Sequence, residues 1–290
     1  MSAQSLDNSN SYDDSANALV ERIGSYSSSV VVAFSGGVDS AVVAAAAFRA
    51  LGSRAVAWTS LGAAVPQADR EAAQAVAKGI GIRHVQFQTR ELENPNYQAN
   101  GPDRCYHCKS TLYQAIFEWA NSEGFETIVS GTNADDLGDY RPGLKAATDH
   151  GVRAPLAELG LGKQHVRGIA HAWGLSVANK PASPCLASRI AYGQVVTLGR
   201  LQQIEGMEVW MHSQGFHDVR ARLHADRLLR LEIAPEHLGM ACESSMRARI
   251  LGKAKELGFQ YVTIDFNGRE SGSMNRVLGD AQTQSIESGR

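Results

Sequence analysis

From Val30 to Phe34 the chain reads Val-Val-Val-Ala-Phe, an unbroken apolar run between Ser27-Ser28-Ser29 and the turn Ser35-Gly36-Gly37. A run so short and so uniform predicts a parallel strand covered on both faces. Ala41 to Leu51 follows, almost wholly Ala and Val, and a helix that apolar has to be packed on every side. The alternation continues with a strand from Ala55 to Ser60, a helix from Gln67 to Lys78, a strand from His84 to Gln88, a helix from Ser110 to Ser122 and a strand from Thr127 to Ser130. Strand and helix in turn predict βαβ units, hence an open parallel sheet that takes ligands at the carboxyl ends of its strands.

The rhythm stops at Thr132. From there to Gly193 the chain collects Gly, Pro, Asp and Arg around one clear helix, from about Gly162 to Trp173; loops this long in a compact domain are usually functional. Beyond Gly193 come a helix from Thr197 to Gly215, strands from Val219 to His224 and Leu228 to Ile233, a helix from about Cys242 to Leu257 and a strand from Tyr261 to Asp265. This αββαβ order predicts a small α+β domain. The expected organisation is an α/β domain over 17–192, opening with a helix from Asn17 to Gly24, and an α+β domain over 193–290. Residues 1–16, rich in Ser, Asn and Asp with almost nothing to bury, read as a disordered tail.

Composition narrows the class. The length of 290 residues suits two domains of about 150 each, large enough to bury a core. The net charge of −2 gives no basic excess for gripping a nucleic-acid backbone, so no nucleic-acid partner is expected. No apolar run reaches the roughly 18 residues of a spanning helix, and the N-terminus lacks the basic and apolar regions of a signal peptide, so no membrane partner is expected. Four cysteines, Cys105, Cys108, Cys185 and Cys242, are too sparse for a disulfide scaffold and read as reduced thiols in a cytoplasm.

Ser35-Gly36-Gly37-Val38-Asp39-Ser40 lies between the first strand and the apolar helix. Adjacent glycines let the backbone turn with positive φ and bring N–H groups close to an anion, and the helix N-terminus adds its own N–H groups and dipole. Ser35 and Ser40 can donate from hydroxyls, and Asp39 is placed to reach Mg²⁺ on bound phosphates. The turn lacks the Gly-Lys-Ser/Thr ending of a Walker A loop. It instead resembles the PP-loop of the ATP pyrophosphatase superfamily, adenine nucleotide alpha hydrolase-like in fold, whose members cleave ATP to AMP and pyrophosphate and so activate a carbonyl or carboxyl oxygen. That resemblance leaves the nucleophile open among ammonia, an amine and sulfur.

Three later segments bear on the nucleophile. Gly131 to Gly143 directly follows a strand; Asp135, Asp136 and Asp139 can hold a metal or polar groups and Arg141 can fork onto a carboxylate or phosphate, while the flanking strand and the many turn residues weigh against a merely solvated acidic loop. Cys185 stands between Pro184 and Arg189 in an extended loop, where a nearby cation favours the thiolate. Cys105-Tyr106-His107-Cys108 precedes a helix, and the spacing alone admits a redox dithiol, a zinc site or iron–sulfur ligation. Cys185, if brought close, would make three thiolates and leave one metal position open. Cys242, Met246 and Ile250 repeat at helical spacing and read as a core face.

SGGVDS, CYHCK, GTNADDLGDYRPGLKA, PCLASRI with Tyr192-Gly193, and Tyr261–Asp265 leading to Ser271–Asn275 together resemble the LarE-type sulfur transferases over nearly the whole chain. The resemblance implies ATP with Mg²⁺ bound at Ser35, Gly36, Gly37, Asp39 and Ser40. It implies a small-molecule substrate, pyridinium-3,5-biscarboxylic acid mononucleotide, whose carboxylates become thiocarboxylates for the nickel-pincer cofactor of lactate racemase. The residue matching Cys185 takes the acyl group. Arg220 and Arg222, on one face of a strand, meet the mononucleotide phosphate, Ser188 and Arg189 join that pocket, and Glu208 binds a metal near it. The family also implies a homo-oligomer, a hexamer. Sulfur comes either from Cys185 itself, which ends as dehydroalanine, or from a [4Fe–4S] cluster on three cysteines; Cys105 and Cys108 beside Cys185 favour the cluster. Rival classes are a tRNA thiolation enzyme, which the near-neutral charge disfavours, an ammonia-dependent ligase such as an NAD synthetase, which has no use for Cys185, and a zinc-binding interaction module, which leaves the phosphate loop unexplained.

Overall fold

The computed structural model describes residues 3–138, 142–181, 183–270 and 274. In chain order the elements are α1 (Ala3–Gly24), β1 (Val30–Ala33), α2 (Val38–Leu51), β2 (Ala55–Ser60), α3 (Gln67–Ile80), β3 (Arg83–Phe87), α4 (Pro95–Gln98), α5 (Arg104–Glu123) and β4 (Thr127–Ser130). There follow α6 (Pro142–Asp149), α7 (Pro155–Glu158), α8 (Lys163–Ala172), α9 (Leu198–Ser213), β5 (Val219–Leu223), β6 (Leu228–Ile233), α10 (Leu238–Cys242), α11 (Ser244–Glu256) and β7 (Tyr261–Ile264). They form two compact units: 1–91 with 105–183, and 92–104 with 184–290.

The first unit is built on a parallel sheet in the order β3-β2-β1-β4, as the alternation predicts. Central β1 pairs Val30 with Ala55 on one side and Thr127 on the other. Its side chains alternate between two cores. Val30 and Val32 pack with Leu19 and Ile23 of α1, the alanines of α2, and Val166 and Ile169 of α8. Val31 packs with Trp58, with Tyr113 and Ile116 of α5, and with Ala146 of α6. Each fully buried valine contributes about 1.5–3 kcal/mol. Every residue of α2 from Ala41 to Ala47 is buried, and its small side chains let neighbouring elements approach closely.

The second unit carries a sheet in the order β5-β6-β7, with β5 antiparallel and β7 parallel to β6. Helix α9, capped by the Thr197 hydroxyl accepting from the Arg200 N–H, lies against β5. Leu201, Ile204, Met207 and Met211 are its buried apolar positions, and Val219, Ala221 and Leu223 those of β5. Among the described residues no helix is long and apolar enough to cross a membrane.

Several expectations give way. Helix α1 begins at Ala3, where the polar composition suggests a tail up to residue 16. From Tyr12 onward the segment is tied down: Ala16 is buried and Tyr12 meets His165 edge-on at 6.4 Å. The break between units falls at Ser183/Pro184, ahead of residue 193, because the carbonyls after Pro184 are bonded by side chains of the second unit. Cys105 and Cys108 stand on the first turn of α5 instead of before it. Cys242 is exposed; the chain is extended at Glu243, between α10 and α11, so the register linking it to Ile250 is broken.

Candidate active site

Strand β1 runs into the glycine turn, and Phe34 N–H still bonds to the Trp58 carbonyl at 2.8 Å. Gly36 then takes φ +70°, and a Cβ there would lie 2.6 Å from the Ala73 Cα, so only glycine fits. Gly37 is the N-cap of α2. The Ser35 and Ser40 hydroxyls lie 3.2 Å apart; Ser40 Oγ accepts from Ser35 N–H and donates to the Gly37 carbonyl, while Ser35 Oγ accepts from Gly37 N–H. Two glycines, two hydroxyls and the first N–H groups of a buried helix thus converge at the carboxyl end of the central strand, an arrangement suited to an oxyanion.

The loop after β4 comes directly against this turn, since a Cβ on Gly131 would stand 2.7 Å from the Ser40 nitrogen. Its acidic residues divide. Asp135 accepts from the Lys163 N–H at 2.7 Å, capping α8, and a Cβ on Gly162 would displace its carboxylate. Asp136 accepts from Asn133 N–H. Asp139 and Arg141 lie outside the described residues. The result of this scaffolding is a contact that sequence reasoning missed: Lys163 Nζ sits 2.5 Å from Asp39 Oδ2, while Asn133 Nδ2 donates to Asp39 Oδ1 at 3.3 Å. The available signal was a lysine directly behind Gly162 at the start of a helix.

In the second unit Cys185 is half-buried and leads into a 3₁₀ turn, Leu186–Arg189. Arg189 is only 2% exposed. Its Nε and Nη2 donate to the two oxygens of Glu208 at 3.1 and 3.2 Å, and Glu208 Oε1 also accepts from Ala221 N–H. Ser188 Oγ donates to the Cys185 carbonyl at 2.7 Å. On β5, Arg222 is buried; it donates to Glu232 at 2.7 Å and to the Ser188 carbonyl at 3.2 Å. Arg220, two residues earlier on the same face, has a different setting. Among the described residues its guanidinium hydrogen-bonds only the Val219 carbonyl. Burial, followed by repulsion from Arg189 and Arg269, lowers its pKa against the pull of Glu208 and Asp218.

Comparison with known proteins matches these two regions at different depths. The model of the NAD synthase family matches residues 11–132, the part that holds the phosphate turn. An uncharacterized protein of Synechocystis is 42% identical over 248 residues, 86% of this chain and 92% of its own. The pyridinium-3,5-bisthiocarboxylic acid mononucleotide synthase of Lactiplantibacillus plantarum is 34% identical over 255 residues, 87% of this chain and 91% of its own. The chain belongs to this synthase family. It is an ATP-dependent sulfurtransferase with a PP-loop. A tRNA-specific 2-thiouridylase of Rickettsia africae is a more distant relative, 27% identical over 66% of this chain and 65% of its own.

In this synthase-family chain Ser35, Gly36, Gly37, Asp39 and Ser40 are brought together at the phosphate turn, with Lys163 paired to Asp39. Cys185, Ser188, Arg189, Glu208, Arg220 and Arg222 share the second unit. Cys105 and Cys108 share one turn of α5 in the first unit, Cys105 exposed and Cys108 half-buried. Three residues apart, the two thiols lie on neighbouring positions of one helix face. Among the described residues no three His, Cys, Asp or Glu side chains are gathered into a group that holds a metal ion.

Proposed function

We propose that this synthase inserts sulfur into carboxylates of pyridinium-3,5-biscarboxylic acid mononucleotide, giving the thiocarboxylates of a nickel-pincer cofactor precursor. The observation that carries the reading is the presence, in a chain 34% identical to the Lactiplantibacillus plantarum synthase, of both the phosphate turn and a half-buried cysteine on a buttressed loop. A substrate carboxylate oxygen attacks the α-phosphorus of ATP, and pyrophosphate leaves with the electrons of the broken P–O bond. The turn's N–H groups and hydroxyls and the Lys163 ammonium bind the phosphates and stabilise the departing charge. Asp39 would hold Mg²⁺, which neutralises phosphate charge. Where no cluster holds Cys185, its thiolate then attacks the acyl carbon, and AMP leaves to give a thioester.

Arg220 takes the mononucleotide phosphate in this reading, supported by a half-buried guanidinium without a carboxylate hydrogen-bonded to it among the described residues; Arg222 backs it. Cys105, Cys108 and Cys185 would ligate a [4Fe–4S] cluster, which when bound supplies an exchangeable sulfide. In the other route Cys185 is spent: its Cα proton goes to a base, its Cβ–S bond breaks with the electron pair on sulfur, and dehydroalanine remains. The enzyme acts in the cytoplasm as a homo-oligomer, a hexamer by resemblance.

The test is anaerobic incubation of purified protein with ATP, Mg²⁺ and the dicarboxylate mononucleotide. AMP, pyrophosphate and a product in which oxygen has been exchanged for sulfur support the reading. Release of pyrophosphate only with tRNA, together with salt-sensitive tRNA binding, would replace it by tRNA thiolation.

A further inference from the structure

The segment 184–191 has little regular structure, yet its carbonyls are almost all bonded, and by side chains. Arg189 Nη1 donates to the carbonyls of Pro184 and Cys185, the latter at 2.9 Å. The Cys185 carbonyl also accepts from the Ser188 N–H at 3.0 Å and its hydroxyl at 2.7 Å. Arg104 Nη1 donates to the Ala187 carbonyl at 2.8 Å, and Arg222 reaches that of Ser188. Asn100, 0% exposed and itself held by Arg104, donates to the carbonyls of Ile190 and Ala191. Leu186, Ala187 and Ile190 are buried. The backbone that bears the thiol is therefore clamped from its carbonyl side by buried cations, while Cys185 stays partly open to solvent.

Arg189 is central to the clamp. All three of its terminal nitrogens are engaged, two of them in a fork on Glu208, which is tied in turn to Ala221 of β5. A buried guanidinium so occupied is a poor receptor for an incoming phosphate, because the exchange would leave Glu208 buried and unpaired. Both oxygens of Glu208 are likewise engaged. We propose that Arg189 and Glu208 are a positioning pair: they fix the backbone of Cys185, and thereby the direction of its thiol, without touching substrate. This rests on Cys185 being the residue that takes the acyl group. A thiol held in place attacks faster than one on a mobile loop.

The experiment compares Arg189→Met, Arg189→Lys and Glu208→Gln with the parent protein. It follows the burst of pyrophosphate release, the single-turnover rate and half-saturating substrate concentration for sulfur transfer, and the rate of Cys185 alkylation by iodoacetamide, with exposed Cys242 as internal reference. The expected result is an unchanged burst and half-saturation, sulfur transfer slower by about tenfold or more, and an altered Cys185 alkylation rate with Cys242 unaffected. Arg189→Lys, which keeps the charge, replaces Arg189→Met should the latter not fold. A half-saturating concentration raised about tenfold at full rate would overturn the proposal in favour of substrate binding, as would unchanged alkylation of Cys185. Full sulfur transfer by Cys185→Ala would instead remove the reading beneath it.

Discussion

The ion pair between Lys163 and Asp39 joins the phosphate turn of the first unit to the start of α8. Lys163 is 38% and Asp39 24% exposed, so the pair is open to an arriving ligand. Lys163→Met is expected to slow pyrophosphate release about ten- to hundredfold, read by exchange of labelled pyrophosphate into ATP; an unchanged rate would reduce the lysine to a surface contact. Arg220 invites the complementary test. Its removal in Arg220→Ala is expected to raise the mononucleotide concentration needed for half-saturation about tenfold or more while leaving pyrophosphate release intact at saturating substrate. The effect of the phosphate turn on stability has its own probe: Gly36→Ala forces a Cβ into Ala73 at a positive φ and should cost more than about 1 kcal/mol in thermal unfolding.

Helices and strands carry effects that no single contact explains. Helix α1 is polar along most of its length, and what holds it is a stripe at Ala16, Leu19 and Ile23 laid against α2 and α8. Leu19→Ala is expected to cost about 2–5 kcal/mol, measured as a shift in the denaturant midpoint at constant slope. The β5–β6 hairpin brings a pH dependence. His224 Nε2 accepts from Arg230 Nε at 3.0 Å, so the ring is neutral in the fold, and burial, then Arg230 and Arg222, lower its pKa. A group with a depressed folded pKa binds fewer protons folded than unfolded, so stability falls as pH drops below about 6.5, the ordinary histidine value. His224→Gln should flatten that part of the profile of unfolding midpoint against pH; an unaltered profile would assign it to other groups.

At the scale of the whole molecule, Cys105 and Cys108 belong to the first unit and Cys185 to the second. If the three serve one cluster, protein purified without oxygen carries iron and acid-labile sulfide, and Cys105→Ala loses both. Colourless active protein that loses one sulfur from Cys185 per turnover would assign the sacrificial route. The alternation of strands and helices, the phosphate turn and the arginine pair on β5 were legible in the amino-acid sequence, because periodicity and glycine conformation are properties of neighbouring residues. Helix α1 was legible only in part: its anchoring residues are four or fewer among many polar ones, and composition averages them away. Cys242 misled because helical spacing says nothing about a break at Glu243. By itself, the sequence determined the fold class and the ATP-dependent sulfurtransferase class, and it supplied the cysteines proposed for sulfur transfer. Only the tertiary structure decided what they meet: that Lys163 pairs with Asp39, that Arg189 is committed to Glu208 and the Cys185 backbone, and that Arg220 has no such fork among the described residues. Those outcomes depend on hydrogen bonds between groups distant in the chain, and a side chain's availability is set by which partners the fold has already given it.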